Sequence, residues 1–246
     1  MIKIINDDCL NYMKTMEDKS IDLILCDLPY GVTKCKWDKK IDLDKLWEQY
    51  ERIIKDNGVI CLFGQNKFFH ELINSNEKLY RYDLVWDKVL TSDFFNSNRK
   101  PLRRHEQIAV FYKNTGKYNS QVRTIKADYN REDYENAKGS VYSKHKKIKA
   151  YIKLDDTKYP TSILRYKKVN GSQMMYATEK PIELLEYLIK LYTDENDVVL
   201  DNCMGSCTTG VACNNTHRNF IGIEINRDTF EIAKLRLEKE NINYDE

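Results

Sequence analysis

The chain has 246 residues, of which 41% are hydrophobic and 32% charged, with a formal net charge of +2. That balance supports one large domain, or one domain carrying a smaller insert, and excludes a disordered or low-complexity chain. No apolar run approaches the roughly 18 residues of a membrane span, and the opening MIKIINDDCL has acids where a signal peptide carries its apolar stretch.

Lys3–Asn6 begins as a short β-type run, and Ile21–Cys26 reads as a buried strand ending in the turn Asp27-Leu28-Pro29-Tyr30. Leu43–Lys55 has helical spacing, closed by the turn residues Asp56-Asn57-Gly58. Val59–Gly64 is a second buried strand and Asn66–Ile73 a helix, while Arg81–Asp87 and Gln107–Tyr112 alternate as strands do. Periodicity lapses after Lys113. It returns where Thr178 can cap a helix running to about Tyr192. There follow a strand (Val198–Leu200), a small-residue loop (Asp201–Thr209), a helix (Gly210–Asn215), a strand (Phe220–Ile223) and a closing helix from Arg227. Strands alternating with helices imply right-handed crossovers and a parallel sheet covered on both faces.

The small net charge conceals a strong asymmetry. Arg99–Lys168 holds 19 Lys and Arg against 7 Asp and Glu, a local charge of +12, and the rest of the chain carries −10. Eight of the 17 tyrosines are interleaved in the same stretch. A basic, aromatic segment on an acidic body points to a nucleic-acid partner; a solvated lysine-rich face is the plainer alternative. The seven cysteines, an odd number in mostly apolar or functional segments, suit a reducing cytosol rather than a disulfide framework.

Two loops carry chemistry. Gly205-x-Cys207-x-x-Gly210 is a dinucleotide fingerprint whose middle glycine is replaced, and Glu224 lies 19 residues beyond Gly205, where an acid can take a ribose diol. Cys207 works against close approach of a pyrophosphate, and Asp201 at the loop mouth suits an ammonium group instead. The pattern favours a cationic nucleoside, S-adenosylmethionine, over NAD, although a plain strand–turn–helix crossover explains the glycines equally well. The other loop, Asp27-Leu28-Pro29-Tyr30, ends a buried strand, where open α/β sheets place ligands. A carboxylate and a backbone carbonyl can accept both hydrogens of an exocyclic amine while the ring of Tyr30 stacks on a flipped-out base; a simple strand-ending turn is the bland alternative.

With these motifs in this order, the chain resembles the amino-methylating DNA methyltransferases of the β group, in which the catalytic motif [DNS]PP[YF] precedes the cofactor loop. Asn6–Leu10 resembles that group's GDCL segment, and GVICLFG and His105–Lys113 resemble the next two blocks. YATEKPIELLEYLI resembles its HPTxKPxxLLxxLI helix motif, and LDNCMGSCTTG its LDPFxGSGTT loop. The resemblance implies a Rossmann-like methyltransferase fold: a mostly parallel, doubly wound sheet with one antiparallel strand and a circularly permuted motif order. Residues 1–114 and 174–246 would form the catalytic domain, and the irregular basic insert 115–173 the target-recognition region.

It further implies an enzyme that methylates the exocyclic amine of a flipped adenine in double-stranded DNA, with S-adenosylmethionine as cofactor and no metal. Catalysis would fall to Asp27, Leu28, Pro29 and Tyr30. The cofactor would be held by Asp8, Cys9, Asp27, Phe63, Lys180, Asp201, Cys203, Met204, Gly205, Ser206, Thr208, Thr209, Glu224 and Ile225, with Asp8 toward the adenine, Glu224 on the ribose, and Asp201 with Lys180 at the methionine end. DNA phosphates would meet Arg99, Lys100, Arg103 and Arg104, and the cluster Lys144, Lys146, Lys147 and Lys149. A homodimer mate and a cognate restriction endonuclease are the protein partners this implies, in the cytoplasm of a bacterium or from a phage. Leu28, Cys207 and Tyr176-Ala177 depart from the family pattern without removing a functional side chain. Cys203, Cys207, Cys213 and His217 could be read as zinc ligands, but three fall on the cofactor loop and its helix and no C-x-x-C is present. A cytosine-amine or RNA methyltransferase, and an idle nucleic-acid-binding module, are the rival functions.

Overall fold

The computed structural model describes residues 1–31, 39–92, 94–121, 123–124, 157–169 and 179–246. Strand β1 (Ile2–Ile5) leads into helix α1 (Cys9–Met13), whose start is fixed by the Asp8 carboxylate accepting the Leu10 and Asn11 amides. All six residues of β2 (Ile21–Cys26) are buried, as in a strand covered on both faces. Helix α2 (Leu43–Ile53) passes directly into β3 (Ile54–Gly64), followed by α3 (Asn66–Ser75) and the long β4 (Tyr80–Ser92). A 3₁₀ turn (Phe94–Asn96) precedes β5 (Arg103–Phe111), and the short strands β6 (Arg123–Thr124), β7 (Thr157–Lys158) and β8 (Ile163–Arg165) come next. The chain closes with α4 (Ile182–Tyr192), β9 (Val198–Asp201), α5 (Thr208–Asn215), β10 (Asn219–Ile223) and α6 (Arg227–Lys239).

Eight strands form one sheet in the order β1-β10-β9-β2-β3-β5-β4-β8. Every neighbouring pair is parallel except those made by β5, which runs against both β3 and β4. The mostly parallel sheet with one reversed strand is therefore present. Strand side chains alternate between two layers. Leu23, Leu25, Val59, Phe63, Ile108 and Val110 meet α4, α5 and α6 through Leu188, Val211 and Phe230. Ile24, Cys26, Ile60, Leu62 and Ala109 face the opposite side, closed by Met13 of α1, Tyr50 of α2 and Phe69 of α3. The doubly wound arrangement follows from that alternation.

Three local readings differ. Asp56-Asn57-Gly58 is not a turn but the irregular first half of β3: Ile21 pairs with Ile54 while Leu23 pairs with Val59. The strand persists because its flanks are buried and Lys55 Nζ donates to Asp22 Oδ2 at 2.7 Å. Helix α1 and strand β8 lie where no regular element is predicted, each too short for a period to register. Thr178 lies outside the described residues, and the helix it was expected to start has Pro181 at its N-cap.

By internal contacts the chain divides into one unit of 1–119 and 161–246, which holds the eight-stranded sheet, and a second of 120–160, in which β6 and β7 pair antiparallel. Strand β8, inside the stretch 115–173, pairs with β4 in the first unit. Among the described residues no helix is long and apolar enough to cross a membrane.

Candidate active site

The parallel strands end along one edge, and the acids singled out in the sequence gather there. Asp8 follows β1, Asp27 follows β2, Asp201 ends β9 and Glu224 follows β10. Because Ile24 of β2 pairs with Leu200 of β9, the ends carrying Asp27 and Asp201 are neighbours. A cleft of about 710 Å³ opens at this edge. Its wall includes each residue expected to act in catalysis or hold a cofactor: Asp8, Cys9, Asp27, Leu28, Pro29, Tyr30, Phe63, Lys180, Asp201, Cys203, Met204, Gly205, Ser206, Thr208, Thr209, Glu224 and Ile225.

One half of the cleft is the loop between β9 and α5. Asp201 is buried and accepts from Thr209 Oγ1 at 2.6 Å and from the Cys203 amide at 3.2 Å. Burial nevertheless pushes its carboxyl up to about 6. Glu224 accepts the Gly205 amide at 3.1 Å and the Asn226 amide at 2.8 Å, and burial raises it above the ordinary glutamate range. The loop is clamped from below. Met204 donates its amide to the Ile223 carbonyl at 3.0 Å, and a Cβ on Gly222 would collide with the Met204 sulfur. Arg236 of α6, buried, bonds Glu179 at 2.8 Å, Ser206 Oγ at 3.1 Å and the Thr208 hydroxyl, while Ser206 Oγ donates to Glu179 at 3.2 Å.

Cys207 corrects the sequence argument. It occupies the left-handed region (φ 61°) that favours glycine, but its side chain is fully buried and does not line the cleft. Its sulfur packs where a Cβ on Gly210 would stand. The thiol therefore does not obstruct a ligand, and the preference for a cationic nucleoside rests on Asp201 and Glu224 alone.

The other half is built on Asp27. Tyr30 Oη donates to Asp27 Oδ1 at 2.7 Å, and one face of the Tyr30 ring stacks on Phe68 with centroids 4.7 Å apart. Lys180 Nζ bonds Asp27 Oδ2, lies 3.6 Å from Glu106 Oε2, and sits 5.0 Å from the Phe63 ring centroid. Lys180 was expected to act beside Asp201 at the methionine end; its ion pairs are instead with Asp27 and Glu106. Lys88 Nζ pairs with Glu106 Oε1 at 2.5 Å. Burial works against the charge of Lys180, but Asp27 and Glu106 outweigh it and hold the ammonium above the usual lysine range. For Glu106, burial likewise opposes charge, and Lys180 with Lys88 lowers its carboxyl overall. Asp27, Glu106, Lys88 and Lys180 thus form a neutral quartet.

Glu106, Lys88, Glu179 and Arg236 were not among the residues expected. Two had a visible signal: Glu106 shares strand parity with Ile108 and Val110, and Lys88 with Leu84 and Trp86, so a charge stands on the core face at each strand's site end. The Glu179–Arg236 pair joins distant segments and has no local signature.

Of the expected DNA-binding residues, Arg99 and Lys100 are exposed on the connection between β4 and β5. Arg103 donates to Asn66 Oδ1. Arg104 holds Asp87 by two hydrogen bonds of 2.7 and 3.0 Å, so its charge is already matched by a carboxylate. Lys144, Lys146, Lys147 and Lys149 lie outside the described residues. Among the described residues no three His, Cys, Asp or Glu side chains gather as a metal site.

A family model described as DNA methylase matches residues 21–235. The type II methyltransferase M.HpaI of Haemophilus parainfluenzae is 26% identical over 99% of this chain and 76% of its own length. The DNA adenine methyltransferase YhdJ of Escherichia coli is 26% identical over 96% of this chain and 82% of its own. Among solved structures, the M1.HpyAVI–SAM complex matches with a TM-score of 0.63 at 23% identity, covering 96% of this chain and 99% of that one. The cytosine-N4-specific PvuII DNA methyltransferase matches at 0.68 and 15% identity, covering 98% and 88%. These structural likenesses establish the shared fold, and the family match spans the β2 turn, the β9–α5 loop and Glu224 in one stretch. The chain belongs to the DNA methylase family of amino-directed methyltransferases.

Proposed function

We propose that this DNA methylase transfers a methyl group from S-adenosylmethionine to the exocyclic amine of a flipped-out adenine. The observation that carries the reading is the meeting of Asp27 with Asp201, Glu224 and the Gly205 loop in one cleft. The residues fit the cofactor. Each oxygen of Glu224 accepts one amide, which leaves lone pairs for a ribose diol, and Asp201 supplies a carboxylate for an ammonium group. When bound, the cofactor supplies an electrophilic methyl on a sulfonium.

The protein's part is positioning. Conjugation makes an aromatic amine a poor nucleophile. Asp27 and the Leu28 carbonyl accept its two hydrogens, which draws the nitrogen toward a pyramidal geometry and supports the positive charge that develops on it. Tyr30 and Lys180 fix the two oxygens of Asp27, and the ring face of Tyr30 turned away from Phe68 receives the base. Asp27 at the first catalytic position resembles the adenine methylators, and one relative of the chain, YhdJ, is named a DNA adenine methyltransferase. The same reading takes 115–173 as the target-recognition region, with Arg99, Lys100 and the lysine cluster at 144–149 on phosphates. It takes the enzyme to be cytoplasmic, with a cognate endonuclease and a homodimer mate as the protein partners that the resemblance implies.

Incubation of the protein with tritiated S-adenosylmethionine and unmodified DNA, then digestion to nucleosides, is expected to give N6-methyladenine. Asp27→Ala should lower turnover by on the order of 10²- to 10³-fold with cofactor affinity by calorimetry largely intact. N4-methylcytosine alone would move the target base, label in RNA alone would move the substrate, and full turnover by Asp27→Ala would refute the role of that carboxylate.

A further inference from the structure

Phe94 and Phe95 are 75% and 100% exposed. Neighbouring large apolar side chains in such exposure mark a contact surface rather than a stray residue. They stand on a turn that is held: the Ser97 amide donates to the Phe94 carbonyl at 3.0 Å, and the Arg99 and Lys100 amides donate to the Asn96 carbonyl at 2.9 and 3.1 Å. The turn also sits beside the cleft. Lys168, which lines the cleft, donates to the Thr91 carbonyl at 3.0 Å, three residues before Phe94. On the returning strand Arg103 pairs with Ser92 and reaches Asn66, next to the cleft residue Gln65.

The surroundings select one occupant. Lys88, Arg104 and Arg165 are paired with Glu106 and Asp87, but along the connection from residue 93 to 103 the sequence holds three Lys and Arg and a single acid, and Arg99 and Lys100 are exposed there. A second copy of the chain on a two-fold axis would press these cations against themselves. A polyanion would not, and stacked bases are the polyanion whose interior accepts flat rings.

We infer that Phe94 and Phe95 form a wedge that enters the duplex beside the target and fills the gap left when the base turns out into the cleft. The wedge rests on the DNA-methylating reading proposed for that cleft. Apolar side chains inserted between base steps unstack and hold open a duplex, and a base that leaves its stack does so at a cost that is smallest when it is already unpaired. Phe95 carries the stacking face; Arg99 and Lys100 hold the backbone on either side.

The test uses the full chain. Sequencing of DNA from cells expressing the wild type identifies the methylated site, and duplexes of that site are prepared with the target base paired or opposite an abasic position. Phe94→Ala/Phe95→Ala is expected to lose at least tenfold in methyl transfer on the paired duplex and to recover most of it on the abasic one. 2-Aminopurine at the target should brighten with wild type and not with the variant, and Phe95→Trp should retain activity with its fluorescence quenched by DNA. Equal losses on both duplexes, or none, would overturn the wedge. So would a dimer in sedimentation that the double variant dissociates, since the rings would then cover a second copy. If the wild type methylates neither duplex, the functional reading itself falls, an outcome distinct from the failure of the variant alone.

Discussion

Lys180→Met removes one charge from the quartet and leaves two carboxylates facing a single lysine. The Lys180 ammonium lies 3.6 Å from Glu106 Oε2, an attraction of about 4–5 kcal/mol at an effective dielectric of roughly 20. Water entering the vacated space will return part of it. The side chains of Lys180 and Glu106 are each 10% exposed and Asp27 29%, so the loss of stability falls near the low end for a broken buried pair, about 3 kcal/mol. The sign follows from Glu106. In the wild type its lowered carboxyl contributes stability above the ordinary glutamate range and gives it up as pH falls through the lowered value. In the variant burial is opposed by Lys88 alone, the carboxyl rises, and stability declines as pH increases through the new value. Urea unfolding between pH 5 and 8 and single-turnover methyl transfer over the same range read both effects, with the acid limb of the rate profile moving to higher pH. The double variant Lys180→Met/Glu106→Gln should regain part of the stability, because the unpaired charge is gone. A loss below about 1 kcal/mol with an unmoved acid limb would refute the quartet as a functional unit.

Other consequences are equally direct. Asp201, raised to about 6 by burial, must ionise to hold an ammonium group; calorimetric affinity for S-adenosylmethionine should weaken toward tenfold per pH unit below that value, and Asp201→Asn should remove the dependence. Without cofactor the same raised carboxyl makes the protein lose stability as pH rises from the ordinary aspartate range to about 6. Cys207→Gly relieves a left-handed cysteine worth about 1–2 kcal/mol but gives up a buried thiol and adds chain entropy of about 1 kcal/mol, so thermal unfolding should change little and cofactor affinity stay put. A collapse of either would mean that the thiol holds the loop. Changing Lys144, Lys146, Lys147 and Lys149 to glutamine should weaken DNA binding on all sequences and flatten its salt dependence, the slope falling by about 0.9 for each phosphate no longer neutralised; an unchanged slope would make the cluster a solvated face.

Much of this site is written locally. The run Ile21–Cys26 buries on both faces, so the residue after it must emerge at the sheet's edge, and that residue is Asp27. The same logic delivers Asp201 after Leu200 and Glu224 after Ile223. What stayed hidden has two physical causes. Side-chain partners across long separations, such as Tyr50 Oη on Asn202 Oδ1 at 2.5 Å or Arg236 on Glu179, depend on how layers stack and leave no period. Backbone conformation is equally silent: nothing in GSCTTG states that the cysteine will accept φ 61° and turn its sulfur inward. Strand β3 shows the converse, a turn signal overridden because Ile54 and Val59–Gly64 are buried on either side of it. Glu106 and Lys88 were legible, since a charge in phase with a strand's apolar face must find a partner or line a site.

The two ends of the cleft handle charge in opposite ways, and the contrast explains how one edge can serve a cation and a polyanion. Among the described residues no Lys or Arg pairs with Asp201 or Glu224; their bonds come from amides, a hydroxyl and, at Asp201, the Cys26 thiol. That end keeps its negative charge for a positively charged ligand, and the strain of holding it appears as raised carboxyls at both positions. At the other end each carboxylate meets a lysine, so Asp27 retains acceptor lone pairs without presenting a net negative field to an approaching phosphate backbone. An acid-only site there would repel DNA, and a lysine-only site would repel the developing cation on the amine. Pairing Asp27 with Lys180, and Lys180 with Glu106, meets both demands and fixes the carboxylate's orientation at the same time.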